Sequence, residues 1–258
     1  MRISIIGAGR VAYHLARVLS AQHEIVQIYS RTLDKAQQLA DQFKAQAIAH
    51  LENLNQYIDL MIIAVSDQSI AEVIKQVHPY LQDVLIVHTS GSTHLNVLAN
   101  VHTKSGVFYP LQTFSLEREI DWENTPLFIE ASEPEDQEIL THLANSLSKR
   151  VYQYSSEQRL SLHLAAVFAC NFSNYCYDMA KQVVDAQQVD FSLLYPLILE
   201  TANKATQNDP RHGQTGPAMR GDQNILNMHQ QMLEQSERQD LAGVYKLLSQ
   251  QILERHQS

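Results

Sequence analysis

The sequence predicts an α/β first half built on a mostly parallel sheet, followed by an all-α second half. Three observations carry this expectation. Short apolar runs alternate with helical stretches from Ile3 onward. Those runs read as unbroken Ile, Leu and Val, the pattern of strands buried on both faces. Beyond residue 154 strand signals stop, and apolar spacings of three and four take over.

In order, ISII (3–6) is a strand, RVAYHLARVLSA (10–21) a helix and EIVQIYS (24–30) a strand. LDKAQQLADQF (33–43) is helical, LMIIAV (60–65) a strand, IAEVIKQVHPYL (70–81) helical and VLIVHTS (84–90) a strand. Further strands fit 106–109, 126–131 and 150–154. Ser155-x-x-Gln158 then has the spacing of a capping box, opening a long helix over roughly 157–186. In the last helix Leu241, Val244, Leu248 and Ile252 form an apolar stripe suited to face either the core or another subunit. We therefore place domains at 1–153 and 154–258.

Composition narrows the function. With 45% hydrophobic and 18% charged residues the 258-residue chain is an ordinary globular protein. A net charge of -9 and the lack of a basic run argue against nucleic acid. The longest apolar stretch, 60–65, is far short of the ~20 residues of a membrane helix. MRISIIGAG has no apolar leader with a cleavage site, so a cytoplasmic location is expected. Cys170 and Cys176 are expected to be reduced, structural thiols. The twelve histidines are scattered, with neither H-E-x-x-H nor paired C-x-x-C spacing, so no metal is expected.

The strongest motif follows the first strand. Gly7-Ala8-Gly9-Arg10-Val11-Ala12 matches G-x-G-x-x-G/A in a strand-turn-helix context, the fingerprint of a Rossmann-type dinucleotide site. Gly7 would make the tight turn, Gly9 would admit a pyrophosphate, and Ala12 would let helix and strand pack closely. The second strand ends Tyr29-Ser30-Arg31-Thr32, without the carboxylate that favours NAD. Arg31 is suited to a 2′-phosphate, with Ser30 and Thr32 adding hydroxyls, so NADP is the expected form. The alternative has Thr32 capping the next helix and Arg31 solvated. Val65 and Ser66, then Thr89, Ser90 and Gly91, end the strands expected to line the same crevice, the latter three toward the nicotinamide; Ser66 and Asp67 are also suited to capping a helix.

On the long helix His163 and Asn171 project about 80° apart at 100° per residue, which would let both reach one cleft. Residues 164–168 between them are apolar and expected to be buried. A histidine and an asparagine satisfied by neighbouring backbone is the competing account. Residues 208–217 make a long connection rich in donors, and 212–222 hold three of the chain's eight glycines. Arg211, Thr215 and Arg220 are candidates for substrate contact there, with Asp222 either joining them or capping the next helix.

GAGRVAYHLA, HTSGS, YPLQTFS, SEQRLSLHLAAVFACNF and TGPAMRGD together carry a resemblance to a known family. The first half resembles the NADP-binding domain of the 6-phosphogluconate dehydrogenase-like superfamily, which includes ketopantoate reductase and pyrroline-5-carboxylate reductase. The whole chain resembles an uncharacterised bacterial family of NADP oxidoreductases, with a Rossmann-like domain and a helical domain of unknown function. The resemblance implies a homodimer through the helical domain. In ketopantoate reductase-like relatives a lysine and asparagines on the first long helix of the second domain serve substrate. Here His163 stands where that lysine would be, Asn171 matches a later asparagine, and Val167 replaces one between them. Many family members have histidine before the proline of YPLQTF, where this chain has Tyr109.

The expected activity is NADPH-dependent reduction of a small C=O or C=N compound carrying an anionic group, bound between the two halves. His163 would donate the proton, Asn171 would orient the substrate, and Arg211 with Arg220 would neutralise its charge. The rival is a non-catalytic NADP-binding sensor or interaction protein. A serine hydrolase built on residues 88–92 lacks the G-x-S-x-G elbow.

Overall fold

The computed structural model describes residues 1–257, which divide into two compact units, the first 1–169 and the second from residue 170 onward. The first carries eight strands: β1 (Arg2–Ile6), β2 (Glu24–Tyr29), β3 (Gln46–Ile48), β4 (Leu60–Ile63), β5 (Leu85–His88), β6 (Ser105–Pro110), β7 (Leu127–Ala131) and β8 (Val151–Gln153). They form one sheet in the order β3-β2-β1-β4-β5-β6-β7-β8. Every pairing is parallel except β6 with β7. Helices α1 (Arg10–Leu19), α2 (Leu33–Phe43), α3 (Asp67–Val77), α4 (Asn96–Ala99) and α5 (Pro134–Asn145) connect the strands.

The unbroken apolar runs have the expected cause. Ile3, Ile5, Leu60, Ile62, Leu85 and Val87 pack into one core cluster, and Ile6, Met61, Ile63 and Ile86 into another. Neighbours along a strand point to opposite faces, so a sheet with two separate cores needs apolar residues at both parities. Ala12 on α1 is fully buried, and its single methyl admits the close helix–sheet contact expected of that position. The three-residue strand β3 was not foreseen: Gln46-Ala47-Ile48 has too little β-branched or alternating character to stand out, and it pairs because β2 offers an edge.

The fold class is thus α/β, a Rossmann-like mostly parallel sheet, followed by helices. Helix α6 (Ser156–Ala166) opens on the expected capping box, in which Gln158 N donates to Ser155 Oγ while the Gln158 side chain accepts from Ser155 N. It runs into a π-helical stretch, Val167–Phe172, and then α7 (Ser173–Asp185). A 3-10 helix, Phe191–Leu194, follows, and then α8 (Tyr195–Gln207), α9 (Pro217–Arg220), α10 (Gln223–Gln235) and α11 (Gln239–Gln257).

Two expectations are corrected. Leu164 and Phe168 are 57% and 62% exposed rather than buried, so the apolar run 164–168 does not enter the chain's own core. Cys170 and Cys176 are free thiols, as expected, but both are exposed. Among the described residues no helix is long and apolar enough to cross a membrane, and no group of three or more His, Cys, Asp or Glu side chains is arranged to hold a metal ion.

Candidate dinucleotide and catalytic site

The ends of β1, β2 and β4 meet where the strand order reverses, the place where open α/β sheets bind ligands. Gly7 makes the turn at φ +122°, donating its N–H to Tyr29 O at 2.8 Å. A Cβ at Gly7 would lie 2.2 Å from the Ala64 carbonyl oxygen, so the three strand ends approach as closely as backbone allows. Gly9 is different. Its φ of -92° suits any residue, and apart from its own chain neighbours no heavy atom lies within 4 Å of where its Cβ would be. The fold leaves this space open beside the N-terminus of α1, whose first amides have no intrahelical acceptor.

A cleft of about 830 Å³ extends from this turn. Gly7, Ala8, Gly9, Arg10, Val11, Ser30, Arg31, Val65 and Ser66 line it, together with Lys35, Leu51, Gln68, Ser69, Glu72 and Gln76. Lys35, in the first turn of α2 and four residues after Arg31, carries no motif that would mark it in the sequence. The two cations line the cleft together with Tyr29 and Ser30 at the end of β2, where no carboxylate stands. Thr32 is at the N-cap position of α2, but its side chain makes no capping bond; its N–H donates to Ser30 Oγ at 3.3 Å. Ser66 likewise occupies the α3 N-cap position, and its hydroxyl pairs with Ser69 Oγ at 2.8 Å instead of capping.

Thr89, Ser90 and Gly91 are not part of that cleft lining; they form the turn after β5, which is tied down from several sides. Ser90 Oγ accepts from the N–H groups of Ser92 and Thr93, at 3.1 and 2.9 Å. Ser90 N donates to His88 Nδ1 at 3.1 Å. Burial of His88 pushes its pKa down to about 3, aided by the Arg159 charge, so its ring is neutral. Ser92 Oγ donates to Asp67 Oδ2. Arg159, on α6 and only 1% exposed, donates to the Thr93 carbonyl at 2.6 Å, to Ser156 Oγ at 3.1 Å and to Glu130 Oε2 at 2.5 Å. Glu130 also accepts from the N–H and hydroxyl of Ser156. One buried cation thus binds β7, α6 and the 90–93 turn together.

That arrangement brings α6 over Gly91. A Cβ there would lie 2.6 Å from Tyr109 Cζ and 2.7 Å from His163 Nδ1. Tyr109 Oη and His163 Nδ1 are 3.3 Å apart, and the rings meet edge to face with centroids separated by 6.2 Å. Burial, with the Asp67 charge adding to it and Arg159 opposing, pushes the Tyr109 hydroxyl up to about 12. Gly91, Tyr109 and His163 therefore converge from a turn, a strand and a helix. Sequence reading singled out two of the three; Tyr109 stood out only as a departure from the family's histidine.

Asn171 lies within the π-helical stretch and is exposed. A π-helix has more residues per turn than an α-helix, so the 80° projection assumed for His163 and Asn171 does not hold. In the second unit, Gly216 (φ +105°) and Gly221 (φ +68°) flank the single turn of α9, so two of the three glycines clustered there serve backbone geometry. Asp222 caps α10, its carboxylate accepting from Ile225 N at 3.4 Å. Arg211 lines a shallow pocket with Gln251, Glu254 and Arg255; Thr215 and Arg220 are exposed.

Residues 2–91 match the family described as NADP oxidoreductase, coenzyme F420-dependent, and residues 125–252 match a domain of unknown function, DUF2520. The putative NADP oxidoreductase BF3122 from Bacteroides fragilis is 42% identical, with a TM-score of 0.91 and 98% of each chain covered. The chain belongs to the same family as this Bacteroides protein. NADP is the cofactor of that family, which fits the 6-phosphogluconate dehydrogenase-like superfamily. Protein TM1727 from Thermotoga maritima is 21% identical at a TM-score of 0.72, covering 99% of this chain and 98% of its own. An imine reductase from Myxococcus stipitatus in complex with NADP+ is 16% identical, also at 0.72, covering 98% and 93%. These two share the fold. No curated protein matches.

Proposed function

We propose that the protein is an NADPH-dependent reductase of a small C=O or C=N compound bearing an anionic group. The observation that carries this reading is the open cradle at Gly9 in a cleft that also displays Arg31 and Lys35. Pyrophosphate fits beside the α1 amides, and the two cations suit a 2′-phosphate. Ser30 and Thr32 would add hydroxyl contacts, and Thr89, Ser90 and Gly91 would stand on the nicotinamide side.

NADPH, when bound, supplies the hydride. His163 donates the proton to the carbonyl oxygen or imine nitrogen, and Asn171 orients the substrate. Arg211 and Arg220 neutralise its anionic group and Thr215 adds a hydroxyl donor, while Asp222 holds the start of α10 beside them. The Myxococcus enzyme, alike in fold, keeps imines among the candidates.

The test is a thermal-shift titration with NADPH and NADH. At a hundred times its dissociation constant a ligand stabilises the native state by about 2.7 kcal/mol. NADPH is expected to give the larger shift, and Arg31→Ala with Lys35→Ala to erase the difference. A chain stabilised equally by both nucleotides would remove the 2′-phosphate assignment. NADPH binding without oxidation across keto acids and cyclic imines would favour a sensor.

We further propose a homodimer through the helical unit. Helices α7 and α8, thirteen residues each, bury no side chain fully within the single chain, and Leu193, Leu197 and Leu199 are exposed. Apolar helix faces of this extent call for a partner. Light scattering is expected to give twice the chain mass; a monomer would refute it.

A further inference from the structure

The Tyr109–His163 contact bears on which imidazole nitrogen meets substrate. The Tyr109 hydroxyl is enclosed by the 90–93 turn, β6 and α6, and buried phenols ordinarily find a hydrogen-bond partner. Burial keeps it protonated, so it has a proton to donate, and His163 Nδ1 lies at 3.3 Å to accept it. A neutral imidazole that accepts at Nδ1 carries its hydrogen on Nε2. Gly91 makes the contact possible, because any side chain there would press on both rings. The Tyr109 ring is fixed independently by Phe128, with centroids 6.2 Å apart.

We propose that Tyr109 is the positioning residue for His163, engaging Nδ1 so that Nε2 is the nitrogen that exchanges a proton with substrate. This rests on the reading of His163 as proton donor. In the resting state the Tyr109 hydroxyl donates to Nδ1. When the ring is protonated, Nδ1–H donates to the same oxygen, whose hydrogen turns away. The imidazolium then gives its Nε2 proton to the reduced carbonyl oxygen or imine nitrogen and keeps its Nδ1 proton, which stays hydrogen-bonded to Tyr109 Oη. Tyr109 is never ionised, and a proton from solvent returns to Nε2 before the next turnover.

The test reads the ring directly by ¹⁵N NMR of imidazole nitrogens at about pH 8.5, where an ordinary histidine is neutral. The His163 signals are assigned by their loss in His163→Gln. Wild-type protein is expected to show Nδ1 as an acceptor and Nε2 as the protonated nitrogen. Tyr109→Phe, which keeps the ring, is expected to lose that bias and shift both resonances toward the mixture of a free imidazole. Gly91→Ala, which intrudes on the pair from the opposite side, is expected to do the same and serves if Tyr109→Phe fails to fold. An unchanged His163 tautomer in folded Tyr109→Phe overturns the proposal. The parent reading fails separately: His163→Gln that oxidises NADPH with keto acids or cyclic imines as fast as wild type removes His163 as donor, whatever its tautomer.

Discussion

Alanine at Gly7 is expected to destabilise the protein severely, and alanine at Gly9 to spare the fold while abolishing tight NADPH binding. At Gly7 the penalties add. A side chain at φ +122° costs about 1–3 kcal/mol in backbone strain. Its Cβ would also sit 2.2 Å from a carbonyl oxygen of β4's end, and such overpacking costs about another 1–3 kcal/mol. Neither contact is with the tip of a flexible side chain, so relief requires the β1 and β4 ends to separate. At Gly9 neither term applies, and removing a glycine from the unfolded ensemble stabilises by about 0.4–1 kcal/mol. The methyl would instead occupy the room through which a pyrophosphate reaches the α1 amides. We expect an apo melting temperature at or slightly above wild type and a dissociation constant for NADPH raised at least about tenfold, or about 1.4 kcal/mol. Melting curves with and without nucleotide check both halves. Wild-type NADPH affinity in Gly9→Ala would show that the phosphates do not pass there.

Arg159→Met is expected to lower stability by about 3–5 kcal/mol, the usual cost of removing one member of a buried ion pair. Glu130 would keep its charge with a side chain only 20% exposed, and the Thr93 carbonyl would lose its donor. For a chain of this size each kcal/mol corresponds to about 2–4 °C, so the melting temperature should drop by roughly 10 °C. Adding Glu130→Gln removes the stranded charge and should restore part of the loss, since much of the penalty is uncompensated burial. A drop of no more than about 2 °C in Arg159→Met would show that the pair contributes little and that the 90–93 turn is held by its own hydrogen bonds.

These two experiments address different layers of the site, and the layers were not equally legible. Glycine spacing, the strand before it and the helix after it are local in sequence, so the dinucleotide turn was readable, as was Arg31 at the end of β2. Lys35, four residues further on, carries no motif of its own, and one cation sufficed to explain the missing carboxylate. Arg159 was out of reach. An arginine on a helix normally reads as solvated, and only its burial against Glu130, twenty-nine residues earlier, and Thr93, sixty-six earlier, gives it a structural role. The stretch 164–168 misled for the opposite reason: its apolar composition implied burial in the chain's own core, whereas Leu164 and Phe168 are exposed.

By itself the sequence determined the α/β class, the parallel sheet and its dinucleotide turn, and the helical second half. These follow from hydrophobic periodicity and from glycine at fixed offsets, which act over a few residues. Tertiary structure alone decided that Gly91, Tyr109 and His163 share one small space, and that Gly7 is compelled by the fold while Gly9 is not. Those facts depend on which strand lies beside which and how closely helix, turn and strand approach. Contacts between residues fifty or more positions apart leave no periodic trace in a single chain.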